Sequence, residues 1–472
     1  MPVTFQNFDF PSATHRAAND GVLQGKVIRN VVKLHNAREG AVPGLGGEAL
    51  KQKARHIKDE CLANLDKYLE QMADNVRKAG GHVHWAADAL QANEIVLDIC
   101  RKAGGKTIIK SKTMTSEETH LNHFLEEHGV DPIETDLGEY IVQLAGQVPS
   151  HLVGPCAHLS KGDIAQIFHE KLGIPLTDDP NTLAEVARVR LREKFKTADI
   201  GLSGANFGIA DTGSIVLFTN EGNGRMCTTW PKVHIALMGM EKLIPRLEDL
   251  ATFIRLLPGS ATGQPITVYC NMITGPRRAG ELDGPEEFHL VVLDGGRSNI
   301  LGGAYRDALR CIRCGACMNS CPVYRHVGGG HAYGSVYPGP IGTLLTPLLD
   351  GMKNRKELPH ASSLCGACFE ACPVQINMPE MFIAMRGDQV QGGMAGWGER
   401  FLYRMAAWGM KRPWAYKLGS FLARWFARPV SEDGWVRSAP PPFSGWTDHR
   451  DAPAPAKQTF RQKWAELEAE NN

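Results

Sequence analysis

A surplus of charge of one sign is missing from this sequence. Lys+Arg number 52 and Asp+Glu 51, a net of +1, so the basic excess expected of a nucleic-acid binder is absent. Long hydrophobic runs are missing too. No uncharged apolar stretch approaches the ~18 residues that a membrane-spanning helix needs. The opening segment, MPVTFQNFDFPSATHRAAND, has no basic n-region followed by an apolar core, so no secretory signal is expected and the expected compartment is the cytoplasm. A dinucleotide fingerprint is likewise lacking. Gly44–Ala49 matches GxGxxA on paper but follows no strand-like run. What remains is an ordinary globular composition, 43% hydrophobic and 22% charged over 472 residues, long enough for about three domains.

Cysteine is the exception, with twelve residues. Cys61, Cys100, Cys156, Cys227 and Cys270 are scattered, as small buried hydrophobes or plain thiols are. The other seven crowd into the stretch from Cys311 to Cys372. A cytoplasmic chain does not normally use disulfides, so the cluster reads as metal or redox chemistry. Cys311-x2-Cys314-x2-Cys317-x3-Cys321-Pro322 has the bacterial ferredoxin spacing. Cys365-x2-Cys368-x3-Cys372-Pro373 repeats it with Ser362 in place of the first cysteine. In such pairs the fourth cysteine of each run ligates the other cluster. Two [4Fe–4S] clusters are therefore expected. The first is held by Cys311, Cys314, Cys317 and Cys372. The second is held by Cys321, Cys365 and Cys368, with its fourth position at Ser362, another residue, a small molecule or nothing. Zinc or structural thiols compete with this reading, but zinc sites do not require the x3-Cys-Pro ending.

Ahead of the cysteines, strand and helix patterns alternate from about residue 48. Strands are expected at 82–85, 107–109, 140–144, 215–218, 233–238, 266–269 and 289–293. Helices are expected at 48–79, 88–102, 116–128 (opened by Ser116), 159–172, 181–197 and 246–257. That alternation predicts an α/β domain around a largely parallel sheet with its site in loops at strand ends. Residues 35–40, before Pro43-Gly44, read as a loop. The expected division is an N-terminal extension (1–47), the α/β domain (48–300), a small helical two-cluster module (301–390) and a C-terminal region (391–472).

Three strings in the α/β block look like site loops. Lys110 and Lys112 follow a strand and precede a helix start, a setting suited to a carboxylate or phosphate; a solvated lysine pair is the plainer reading. Glu134, Asp136 and Glu139 place three carboxylates between two expected strands. Asn206, Asp211 and Thr212 lie in a Gly-rich stretch that reads equally as hairpin turns, and Arg225 is a further anion contact. His120, His123 and His128 read as a solvated helix face.

The strings KSKTMTSEE, ETDLGEYIVQL, ADTGSIVL and TTWPKVHIALMGMEKLIP resemble the lactate-utilisation (LUD) domain family, which is similar in fold to NagB/RpiA/CoA-transferase-like proteins. The full order, this domain, then CIRCGACMNSCP and SLCGACFEACP, then a Trp-rich tail, resembles the B-subunit family of bacterial lactate-utilisation systems. The resemblance implies a part in oxidising L-lactate to pyruvate, beside a cysteine-rich subunit and a stand-alone LUD subunit, with a small carboxylate in the LUD pocket. With no flavin or nicotinamide fingerprint, this chain is not expected to catalyse a two-electron oxidation alone. Service to another 2-hydroxy acid such as glycolate, or redox and metabolite sensing, fits the same residues.

The tail is distinct. Seven of the nine Trp lie from Trp397 onward. Between 397 and 428, apolar residues at helical spacing share two segments with seven basic residues and one acidic residue, Glu399. Such helices dock on a partner, fold back on the chain, or lie on the surface of an anionic membrane.

Overall fold

The structure is a computed structural model that describes residues 8–441, 444–447 and 450–470. Residues 1–7, Pro442 of the proline run, and the side chains of Arg428 and Trp446 lie outside that description. The chain forms two compact units, the first ending at Gln389 and the second beginning at Val390.

Four helices lead in: α1 (Phe10–Ala18), α2 (Gly21–Ala41), α3 (Gly47–Ala63) and α4 (Leu65–Lys78). The expected loop at 35–40 is the last part of α2, a correction with a clear cause. The turn signal sits later, at Pro43–Leu45, where Gly46 adopts φ 118°. The buried residues of α2, Val27, Val31 and Arg38, face partners distant in sequence, so the helix shows little local periodicity.

The α/β part follows as β1 (His82–Ala86), α5 (Ala89–Lys102), β2 (Thr107–Lys110), α6 (Met114–Glu118), α7 (Leu121–Glu127), β3 (Asp131–Glu134), α8 (Leu137–Ala145), α9 (Lys161–Leu172), α10 (Pro180–Thr197), β4 (Ile200–Ser203), β5 (Phe207–Ile209), β6 (Ser214–Thr219), α11 (Asn223–Thr229), β7 (Val233–Gly239), β8 (Leu243–Ile244), α12 (Leu250–Thr262), β9 (Tyr269–Ile273) and β10 (Glu287–Leu293). Six strands form one sheet in the order β1-β10-β7-β4-β2-β3, every pair parallel. Every residue of β4 and β7 is buried, as expected of a parallel sheet covered on both faces. The chain runs outward from β2 to β3 and returns to the other side of β2 as β4. This switch point opens a crevice beyond the strands' C-terminal ends. A smaller sheet, β8-β5-β6-β9, packs beside it.

Three further expectations are corrected. Residues 140–144 are helical, within α8. Asp136 caps that helix by accepting from Glu139 N at 3.1 Å, and left-handed Gly146 ends it; these caps override the strand-like run Tyr-Ile-Val. The three carboxylates at 134–139 thus lie between a strand and a helix. The helix expected over 116–128 is two short helices broken at His120, φ 53°. Ser116 does not open it, since its hydroxyl donates to Thr113 O at 3.0 Å inside α6. The strand expected at 266–269 begins only at Tyr269.

After α13 (Arg297–Leu301), the cysteine region winds through α14 (Ala316–Asn319), α15 (Pro322–Val327), α16 (Gly330–Tyr333), α17 (Gly339–Asp350), α18 (Ala367–Ala371) and α19 (Met378–Gln391). One continuous apolar core joins it to the rest of the first unit. Val27 and Val31 of α2, Phe253 of α12 and Phe207 of β5 share it with Met318, Tyr324, Leu344 and Phe382. The second unit holds α20 (Trp397–Met410) and α21 (Pro413–Ala427), neither with a buried residue, and a terminal helix, Phe460–Glu470.

Candidate functional site

The two cysteine loops share a backbone. Arg313 (φ 60°) and Gly315 (φ 79°) flank Cys314 in the first; Leu364 (φ 57°) and Gly366 (φ 86°) flank Cys365 in the second. Left-handed residues on both sides of the second cysteine turn the chain around a central point. The hydrogen bonding repeats as well. Arg313 N donates to Cys311 Sγ at 3.4 Å, and Leu364 N donates to Ser362 Oγ at 3.2 Å. The hydroxyl of Ser362 thus occupies the place that the Cys311 sulfur holds in the first loop.

None of the seven cysteines is in a disulfide. Burial pushes Cys314 up to about 12, and Cys372 and Cys311 add to the rise. Burial raises Cys317 strongly, with Cys314, Cys311, Cys368 and Cys372 adding. Cys368 rises to about 12 through burial, then through Cys321 and Cys365. The thiols that act on one another therefore fall into a set around Cys311, Cys314, Cys317 and Cys372 and a set around Cys321, Cys365 and Cys368, with Cys317 and Cys368 linking them. Thiols packed so closely in an apolar core oppose one another's ionisation. A positively charged metal centre removes that opposition, so this donor set fits iron–sulfur ligation. Backbone N–H groups of Tyr324 and Ile376 also point at Cys321 and Cys372 sulfurs, at 3.4 and 3.3 Å, as donors to cluster sulfurs do. Cys365 alone of the seven is exposed.

A buried charge hub adjoins the first set. Glu241, 1% exposed, takes Arg297 at 2.6 Å and Arg313 at 3.2 Å, while its backbone carbonyl accepts from Lys58 at 2.6 Å. Burial opposes ionisation of Glu241, but Arg297 and Arg313 together hold its carboxyl at about 2. Arg297 also grips Glu118, which accepts from Tyr337 Oη at 2.7 Å. The Arg313 guanidinium stacks over the Tyr337 ring, 4.8 Å from its centre.

Between this hub and the switch point lies a cavity of about 380 Å³. Its walls come from the segments after β2 (Ser111–Thr115), after β4 (Gly204–Asn206) and after β7 (Lys242), from Asn223, and from Arg313, Cys314 and Tyr337 of the cysteine region. The loops after β2 and β4 approach closely; a Cβ at Gly204 would lie 2.6 Å from Thr113 Oγ1.

Of the nine expected pocket residues, Lys112, Asp136 and Asn206 line this cavity. Lys110, Glu134 and Glu139 do not; they form buried charge beside it. Lys110 is fully buried and donates to Glu134 at 2.5 Å and to Asn122. Glu134 and Glu117 hold its charge against burial. Lys112 Nζ lies 3.6 Å from Glu139 Oε1, and neither atom has a hydrogen-bond partner. Glu117, Glu134 and Glu139 converge, and burial pushes Glu139 up to about 8. Asp211 and Thr212 belong to turns instead, accepting from Leu247 N and Ser214 N. Arg225 is exposed and off the cavity wall. The residues the sequence did not single out are Lys242, Arg313 and Tyr337. Arg313 stood in view between two cysteines but read as spacer.

The fold and site define an α/β protein with a cysteine-rich metal module. Model comparison agrees: the LUD domain matches residues 69–293, the 4Fe-4S dicluster domain 307–376, and the C-terminal region of lactate utilisation protein B 381–469. Lactate utilization protein B of Bacillus licheniformis is 48% identical over 94% of this chain and 93% of its own. Its namesakes from Bacillus subtilis and Geobacillus kaustophilus are each 45% identical, over 97% and 98% of this chain and 96% and 97% of theirs. The chain belongs to the lactate utilization protein B family.

Proposed function

We propose that this chain is an iron–sulfur electron-transfer subunit of a complex that oxidises L-lactate to pyruvate. One observation carries the reading: Cys314, of the set assigned to the first cluster, lines the cavity at the sheet's switch point. A small-molecule site and a metal site thus share a wall. Cys311, Cys314, Cys317 and Cys372 hold one [4Fe–4S] cluster. Cys321, Cys365 and Cys368 hold the second, with Ser362 at its fourth position. Bound there, such clusters carry electrons singly. The chain's own residues hold them in an apolar core, supply N–H donors to the sulfurs, and keep Cys365 at the surface where electrons leave. The sheet is of the NagB/RpiA/CoA-transferase-like type, whose strand-end crevice receives the substrate's side of the reaction. The names of the relatives support lactate as that substrate.

The chain works with a cysteine-rich subunit and a stand-alone LUD subunit. The aromatic faces of α20 and α21 supply a docking surface for them. Among the described residues no helix is long and apolar enough to cross a membrane. The test is anaerobic purification with iron and sulfide counts, then L-lactate with and without the partner subunits, followed by EPR. The reading expects clusters reduced by L-lactate only in the assembled complex, with glycolate ineffective. Iron-free protein, or an assembled complex that lactate leaves oxidised, overturns it.

A further inference from the structure

Part of the cavity's cationic lining has donors that the fold leaves unpaired. Arg313 is 7% exposed, yet its Nε and Nη1 have no hydrogen-bond partner; only Nη2 reaches Glu241. Lys242 lines the same cavity, and its side chain makes no hydrogen bond or ion pair among the described residues. Buried donors on a cation are costly to leave unpaired; the Arg313 guanidinium and the Lys242 amine, which burial and then Arg313 pull down to about 7, both face an open volume beside Cys314. Lys112 lines the cavity as well, close to Asp136 and Glu221.

We propose that Arg313 and Lys242 form a carboxylate subsite, and that its occupancy is coupled to the redox state of the cluster ligated by Cys314. The inference rests on the cluster assignment above, not on lactate being the substrate. A carboxylate is favoured because the cavity offers charged N–H donors together with the apolar side chains of Leu257, Ala261 and Phe218. That pairing suits a short organic acid better than an inorganic anion. Reduction adds negative charge beside the subsite, so a bound anion is held less tightly by the reduced protein. By reciprocity the anion makes the cluster harder to reduce.

The experiment uses the full chain, anaerobic and iron-replete, with pyruvate as probe, followed by titration calorimetry and by EPR-monitored redox titration. Expected are saturable binding, roughly tenfold weaker binding after loss of one charge-assisted contact in Lys242→Gln, and weaker binding to dithionite-reduced protein. A tenfold preference for the oxidised state appears as a midpoint lowered by about 59 mV on adding pyruvate. Arg313→Gln should weaken binding as well; if it sheds iron, Lys242→Gln decides. The proposal is overturned if pyruvate binds wild type and Lys242→Gln alike, if phosphate binds as well as pyruvate, or if Arg313→Gln shifts the midpoint while leaving affinity unchanged. In that last case the guanidinium serves the cluster alone. An iron-free preparation at the outset refutes the cluster assignment instead, a result told apart by the metal count.

Discussion

At Ser362 a hydroxyl stands where the first loop has the Cys311 sulfur, accepting the same backbone N–H two residues on. An alkoxide is a harder ligand than a thiolate and forms only after a much larger pKa shift, so on the proposed assignment iron would be held weakly at that corner. Exposed Cys365 beside it admits oxidant. Mild oxidation should therefore convert the second cluster to a three-iron form first, seen by its EPR signal, while the first persists. Ser362→Cys should slow that loss severalfold. Equal decay of both clusters in wild type and variant would place the fourth ligand elsewhere. Glu139 offers a second test at this scale. Its folded pKa, about 8, lies above the ordinary 4.5, so the folded state keeps a proton that the unfolded state releases. Stability then falls as pH rises from about 4.5 through 8. Glu139→Gln should flatten that fall, read from urea midpoints at pH 5.5 and 8.5. Parallel losses in both proteins would show that the carboxyl is ionised at no cost.

At the scale of elements, α20 and α21 set out a surface that their own unit does not cover. Trp397, Phe401, Trp408, Trp414, Phe421 and Trp425 are all exposed, a concentration of large apolar side chains of the kind that marks an interaction surface. Trp408→Ser with Phe421→Ser should leave iron content and thermal midpoint unchanged but reduce retention of the partner subunits on co-purification. Intact retention, with loss of sedimentation on phosphatidylglycerol vesicles, would assign the surface to the membrane instead. These elements also show what a sequence carries. The cysteine spacing was legible because ligand geometry is local, and β2, β7 and β10 because buried parallel strands are continuous apolar runs. Helix α8 was misread because Tyr-Ile-Val favours strands, whereas the caps at Asp136 and Gly146 decide. The end of α2 was missed because Val27, Val31 and Arg38 answer to contacts far along the chain; Arg38 donates to Ala371 O at 3.0 Å. The cavity's cationic end was illegible for the same reason, since Lys242 and Arg313 meet only once the two modules pack.

Across the whole first unit, that packing converges on Glu241. Lys58 comes from the entry helices, Glu241 from the turn after β7, Arg297 from α13 and Arg313 from the cysteine loop. One carboxylate and its carbonyl hold all three cations. Arg297 and Arg313 match Glu241 and Glu118, while burial pulls down the amines of Lys58 and the neighbouring Lys242, and the Arg313 guanidinium also lies beside Cys311. Removing the acid breaks this balance. Glu241→Gln leaves Arg313 buried with no acidic partner and Arg297 with Glu118 alone, a change that costs about 3–5 kcal/mol for a buried pair. The denaturant midpoint should drop accordingly, and because the hub ties the sheet to the cysteine loop, iron should be lost in the same transition. The pH dependence follows from the sign. A carboxyl held at about 2, below the ordinary 4.5, contributes stability that is complete above pH 4.5 and is lost as pH falls toward 2. The gap between wild type and Glu241→Gln should thus stay constant from pH 8 to 5 and close only in stronger acid. A variant that keeps its iron and its midpoint at pH 7 would show that the apolar core alone joins the two modules.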